Sequence, residues 1–182
     1  MLDPLVDEYV QADHHDPALL FTAAYNEFAG PVCGYLRARG VDDPEAVTQD
    51  VFLALYPRLD TLHGGLQGAK TLLFSIAHAR MVDHYRRRER RPEPAPYEVE
   101  TDTRRAPSAE DQAFGAGSLG VTELLHGLPD DYREVLALRV VADLSVEETA
   151  AIMGKSQGAV KQLQRRALGA LKKRALLRNG SE

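Results

Sequence analysis

The densest chemistry in this 182-residue sequence lies between Gly154 and Ala167. There GKSQGAVKQLQRRA carries two glycines, three glutamines and four basic residues, with no acid and no aromatic ring. Projected at about 100° per residue, Val160, Leu163, Ala167 and Leu171 fall on one side of a helix. Gly158, Lys161, Gln162, Arg165, Arg166 and Gly169 fall on the other. That bare face suits a polyanion, because no carboxylate repels phosphate and the small residues let a backbone approach. Gln157, Lys161 and Gln162 occupy the first turns, where glutamine pairs bidentately with adenine and lysine donates to guanine or phosphate. Arg165, Arg166, Lys172 and Lys173 are suited to clamping the nucleic-acid backbone.

Such a helix needs a holder, and the preceding residues supply one. In LSVEETAAIMGKSQGAVKQL, Ser145 is an N-cap with Glu148 three residues on, the capping box that opens a helix. Ala150 is small enough for a second helix to cross closely, and Gly154 supplies the positive φ that a tight inter-helix turn demands. Ser156 caps the next helix, whose Val160 and Leu163 return to the core. Helix, glycine turn and cationic helix in this order make a helix-turn-helix, whose second helix enters the major groove of DNA. The expected reader residues are Gln157, Gly158, Lys161, Gln162, Arg165 and Arg166.

No other stretch offers reaction chemistry. There is no HExxH, no phosphate-cradling glycine loop after a strand and no Cys–His pair at useful spacing. Cys33 is the only cysteine, which excludes an intrachain disulfide and a thiolate metal cage and fits a reducing compartment. Asp83 and His84, adjacent on a predicted helix, point apart. No enzyme activity, cofactor or metal is expected. The start of the chain lacks a basic-then-apolar signal, and no apolar run approaches the roughly 20 residues of a membrane span. A cytoplasmic protein without membrane insertion is the expectation.

The net charge of −5 conceals a polar arrangement. Residues 1–60 carry 11 acids against Arg37, Arg39 and Arg58, whereas Lys155 to Arg178 hold eight basic residues and no acid. One end is suited to a protein surface and the other to phosphates.

The remaining elements read as helices. From Pro17, ALLFTAAYNEFAGPVCGYLRARG has apolar residues at three- and four-residue steps, with Pro31 opening a second segment or kinking the first. PEAVTQDVFLALYPRL places Val47, Val51 and Leu55 on one face, and Pro57 ends or bends the helix. DTLHGGLQGAK, with three glycines, reads as a loop. TLLFSIAHARMVDHYRRRERR returns to helix, burying Leu72, Leu73, Ile76 and Ala77. After Pro129, Val135, Leu136, Leu138 and Val140 are expected inward. The pattern predicts an all-α fold: an acidic leader (1–18), a helical domain (19–91), a flexible linker rich in Pro, Gly and acids (92–120), and a helix-turn-helix domain (121–178).

The order FTAAYNEFAGPVCGYLRARG, TQDVFLALYPRL, LLFSIAHARMVDHYRRR, a linker and LPDDYREVLALRVVADLSVEETAAIMGKSQGAVKQLQRRAL resembles the extracytoplasmic-function (ECF) sigma factors of bacterial RNA polymerase, over roughly residues 19–177. The resemblance implies promoter-directed transcription initiation, with the C-terminal helix-turn-helix reading the minus-thirty-five element. It implies that Gln49, Asp50, Val51 and Phe52 bind the clamp helices of the polymerase core, with the flap as a further core contact. It implies that the loop Asp60–Lys70 captures an unstacked base of the minus-ten element. His63, Lys70, Arg80, His84, Arg86, Arg87 and Arg88 would then serve the single strand, a division that suits a glycine-rich loop followed by arginines. An anti-sigma factor is an implied further partner. Ala46, Leu72 and Ala79 depart from the family's usual acid, tryptophan and asparagine. The alternative is a stand-alone helix-turn-helix transcriptional regulator, which would bind palindromic duplex without polymerase.

Overall fold

The computed structural model describes residues 16–90 and 124–179, and every regular element among them is helical. The N-terminal half comprises α1 (Pro17–Ala38), α2 (Pro44–Leu55), a 3-10 turn (Tyr56–Thr61) and α3 (Gly65–Arg90). The C-terminal half comprises a short helical turn at 124–125, α4 (Asp130–Leu136), a π-helical turn (Ala137–Val141), α5 (Val146–Met153) and α6 (Gln157–Asn179). The expected linker (92–120) and residues 1–15 of the expected leader (1–18) lie outside the described residues, while Pro17 and Ala18 at the leader's end already belong to α1.

Side-chain caps start the first helices. The Asp16 carboxylate accepts from the Ala18 N–H at 2.8 Å and Asp43 from the Ala46 N–H at 3.0 Å, each followed by a proline that needs no donor there. Pro31 does not divide α1, which runs unbroken to Ala38. Phe28, Ala29 and Val32 around it are buried, so tertiary packing offsets the missing backbone bond. At Pro57 the α2 helix gives way to the 3-10 turn, as the sequence leads one to expect.

The glycine-rich stretch departs from expectation. Helix α3 already begins at Gly65, so the irregular part shrinks to residues 62–64. Gly64 and Gly65 have φ of 86° and 54°, values that L side chains rarely adopt, and they turn the chain into the helix. Gly68 serves close approach: a Cβ there would sit 2.0 Å from the His63 carbonyl oxygen.

A second departure lies in α4. The chain widens into a π turn, and the Ala142 N–H bonds back to the Ala137 carbonyl at 2.9 Å. The extra residue in the turn shifts the buried face, so Ala137 is fully buried while Val140, expected inward, is 58% exposed. The turn closes through Asp143, a non-glycine residue at φ 50°. Arg139 fastens it by donating to the Leu144 carbonyl and, at 3.2 Å, to Gln164 on α6.

One buried apolar cluster runs through both halves, from Val32, Leu36, Leu55, Leu73 and Phe74 to Val135, Leu138, Leu144 and Val160. The halves therefore pack directly on one another. At their junction the Glu134 carboxylate of α4 is buried against α1 and α3. Tyr35 donates its hydroxyl hydrogen to Glu134 Oε1 at 2.7 Å, and His78 Nδ1 lies 2.9 Å from the same oxygen. Arg39 Nε is 2.6 Å from Glu134 Oε2, although its N–H points to Met81 Sδ at 3.2 Å.

Gly68→Ala is expected to destabilise the chain by about 1–3 kcal/mol, because backbone must shift to admit the methyl group. Urea unfolding at equilibrium measures this, and an unchanged midpoint would contradict the close approach.

Candidate nucleic-acid interface

The helix-turn-helix forms as the local sequence dictates. Ser145 Oγ accepts from the Glu148 N–H at 3.1 Å, and the Glu148 carboxylate accepts from the Ser145 N–H at 2.7 Å. Helix α5 ends on Gly154 at φ 62°, with the Lys155 N–H bonded to the Ala150 carbonyl at 3.0 Å. Ser156 Oγ then accepts from the Ala159 N–H at 3.2 Å and opens α6. Val160 and Ala167 are wholly buried, and Leu163 and Leu171 pack partly against the core. The helix thus has one fixed rotation about its axis. Its opposite face carries Gln157, Gly158, Lys161, Gln162, Arg165 and Arg166, all exposed.

Rigidity comes from three further contacts. Arg139 ties Gln164 to the π turn, Lys155 Nζ lies 3.3 Å from Asp131, and Arg174 donates to the His126 carbonyl at 2.5 Å. A cationic face held in this way can follow a phosphate backbone and insert its first turns into a groove.

In the N-terminal half the expected residues divide. Gln49 and Asp50 are exposed on α2, but Val51 and Phe52 are core residues at 0% and 2% exposure and cannot present side chains to a partner. The exposed apolar groups of that region are Leu53, at 70%, and Tyr56, at 57%. Tyr56 stands edge-on to Phe21, and the partly exposed Tyr25 stands edge-on to Phe52, with centroids 5.4 and 5.0 Å apart. Sequence reasoning missed Leu53, Tyr56 and Tyr25. The signal was present in the four-residue step from Phe52 to Tyr56, matched by the step from Phe21 to Tyr25.

His63 is exposed and borders a cavity of about 310 Å³ lined by Pro17, Leu20, Leu59, Asp60 and Gly64. Arg80 and Arg87 stand exposed on α3. Arg86 faces Asp83 at 4.0 Å; Arg88 and His84 share Asp42 at 3.4 and 3.3 Å. Lys70, expected to serve the single strand, is largely covered and has a partner within the chain. Its ammonium donates to the Asp143 carbonyl at 2.8 Å, which points it at the C-terminal half.

Neighbouring α3 residues make the same turn toward α5. Thr71 donates to Glu148 Oε1 at 2.5 Å and Gln67 at 3.0 Å. Partial burial works to raise the Glu148 pKa, but these bonds and those from Ser145 outweigh it and hold the carboxyl at about 2, against an ordinary 4.5. Among the described residues no His, Cys, Asp and Glu cluster could hold a metal ion, and no helix is long and apolar enough to cross a membrane.

Together these elements make an all-α protein with a helix-turn-helix whose cationic face is open. Comparison with known proteins extends this. The family model described as "Sigma-70, region 4" matches residues 124–173. The ECF RNA polymerase sigma factor SigD of Mycobacterium tuberculosis is 39% identical over 130 residues, covering 69% of this chain and 60% of SigD. The chain thus spans less than two thirds of that relative. ShbA of Streptomyces griseus, another ECF sigma factor, is 30% identical over 136 residues, covering 70% of this chain and 69% of ShbA. The structure of CnrH in complex with the cytosolic domain of CnrY is similar at a TM-score of 0.58 and 26% identity, covering 87% of this chain and 88% of CnrH. The chain belongs to the ECF RNA polymerase sigma factors.

A depressed carboxyl pKa contributes stability that is complete above the unfolded value and lost as pH falls through the folded one. The contribution of Glu148 should therefore fade from pH 4.5 down to about 2. Thermal unfolding across that window should show a shallower acid loss in Glu148→Gln than in the wild type. Parallel profiles would remove Glu148 as a stabilising acceptor.

Proposed function

We propose that this chain is a promoter-specificity subunit of bacterial RNA polymerase, directing the core enzyme to particular promoters. The observation that carries the reading is the open face of α6, where Gln157, Gly158, Lys161, Gln162, Arg165 and Arg166 are exposed on a helix fixed by its buried stripe. Gln157, Lys161 and Gln162 read base edges of the minus-thirty-five element, and Arg165 and Arg166 fix the register through phosphates.

The N-terminal half takes the core and the minus-ten element. Gln49 and Asp50, joined by the exposed Leu53 and Tyr56, offer an amide, a carboxylate and apolar surface to the clamp helices. Val51 and Phe52 support them from beneath. The cavity beside His63 suits a planar base turned out of the stack, and Arg80, Arg86, Arg87 and Arg88 along α3 suit the phosphates of the single strand. The work is done in the cytoplasm, where polymerase and promoter DNA are. An anti-sigma factor is a further partner on this reading, supported by the similarity to CnrH, whose structure holds the cytosolic domain of CnrY.

In vitro transcription with bacterial core polymerase and fragmented genomic template tests the proposal. Discrete transcripts should require the protein and be lost with Lys161→Ala/Arg165→Ala. Each lost phosphate contact should also lower the slope of log affinity against log salt by about 0.9. Tight binding of palindromic duplex by the protein alone, with no transcript, would instead favour the stand-alone regulator.

A further inference from the structure

A cavity of about 400 Å³, within the range of small-ligand sites, lies between α3 and the start of α4, apart from the His63 cavity and the α6 reader face. Its floor is one stripe of α3, where His78, Met81, Val82, Tyr85, Arg86 and Glu89 recur at helical spacing over about 16 Å. Asp130, Asp131 and Glu134 of α4 face them, with Met153 and Lys155 at the end of α5. The two methionines, Val82 and the Tyr85 ring make a soft apolar lining that suits methylene groups.

The charges of the lining decide what it can hold. Four carboxylates stand against three side chains of Arg and Lys. Each of those cations already faces an acid: Arg39 Nε lies 2.6 Å from Glu134, Lys155 Nζ 3.3 Å from Asp131 and Arg86 4.0 Å from Asp83. Asp130 faces Arg133. Among the described residues Glu89 has no ion pair, and it stands exposed at one end of the stripe. At the other end Glu134 is only 3% exposed, yet its Oε2 takes no aligned hydrogen bond from a described residue, because the Arg39 N–H beside it points to Met81 Sδ. A buried carboxylate oxygen short of a donor and an unpaired carboxylate at the rim call for N–H groups that carry positive charge. An anion would meet four acids and only engaged cations.

We propose that this cavity binds a linear aliphatic polyamine. One ammonium group is directed to Glu134 and Asp130, the methylenes lie over Met81, Val82 and Met153, and a second ammonium group meets Glu89. Charge-assisted hydrogen bonds hold the ends and apolar contact holds the chain between them. No residue of the α6 reader face takes part, so the site stands independently of the promoter reading.

Spermidine is the probe, titrated into the full chain carrying methyl-labelled methionine for NMR. Of the three methionines in the sequence, two line the cavity. The Met81 and Met153 methyl resonances should shift together and saturate at one equivalent per chain. Glu89→Gln, at an exposed position, should weaken binding about threefold, the size of one exposed ion pair. Met153→Lys, which sets a cation in the cavity, should abolish it. Glu27→Gln, on the exposed surface of α1, should leave the affinity unchanged, and thermal unfolding checks that each variant is folded. Magnesium chloride at matched ionic strength shifting the same methyls equally would reduce the effect to general screening and overturn the site. Inorganic phosphate shifting them where spermidine does not would assign the cavity to an anion and overturn the amine. Spermidine binding at full strength to both Glu89→Gln and Met153→Lys would place it elsewhere on this net-acidic chain, with the same result.

Discussion

The structure turns on a buried negative charge that its own half of the chain does not neutralise. Removing a carboxylate from water is costly, and it is tolerated where donors and an opposite charge replace the lost hydration. Glu134 receives the Tyr35 hydroxyl, faces His78 and lies against the Arg39 guanidinium. Breaking one side of such a pair typically costs about 3–5 kcal/mol, most of it from the charge left behind. The Tyr35 phenol is pushed well above its usual range, first by burial and then by the nearby Glu134 charge, so it remains a donor. Arg39 follows the last residue of α1, its carbonyl accepts from the Tyr85 hydroxyl of α3, and its guanidinium donates to the Asp130 carbonyl at 3.2 Å. Helices α1, α3 and α4 thus meet at one ionic centre.

The helix-turn-helix was legible because it is built from local rules. Ser145, Glu148, Gly154 and Ser156 act on backbone groups within a few residues, and Val160, Leu163 and Ala167 follow the helical period. Local rules say nothing about where two halves meet. In LPDDYREVLALRV, Glu134 reads as one more acid on a solvated face, and only the folded chain sets it beside residues about a hundred positions earlier. The π turn was hidden for a related reason, since a period of 3.6 predicts Val140 inward until one extra residue shifts the face. Val51 and Phe52 are buried, and a family motif marks positions without separating side chains that touch a partner from those that hold the helix. Glycine count misled at Gly65 and Gly68, where the residue serves a helix start and a close approach instead of a long loop.

A net-acidic chain can present a DNA-binding face because its carboxylates are spent locally. Asp42 meets Arg88 and His84, Asp130 meets Arg133 and Arg39, and Asp131 meets Lys155. Hydrogen bonding to Arg133 also holds the Asp130 carboxyl below its usual range, so this acid at the start of α4 stays charged and engaged. Farther along α6, Lys161, Arg165 and Arg166 are exposed. At ordinary ionic strength charges are screened over a Debye length of about 8–10 Å, so the field near the reader face follows the local cations more than the molecular total.

Glu148 links this reader to the rest of the molecule because its carboxylate has two employments. It closes the capping box of α5 through Ser145, and it accepts from Thr71 and Gln67 of α3. The capping bonds lie within the C-terminal half and do not depend on α3, so parting the halves removes the second set and leaves the first. The π turn behaves alike: Arg139 binds Leu144 and Gln164 within its own half, whereas Lys70 reaches Asp143 from outside. The contacts that shape the helix-turn-helix are therefore separate from those that dock it. A unit built this way can leave the N-terminal half without losing the geometry of its cationic face.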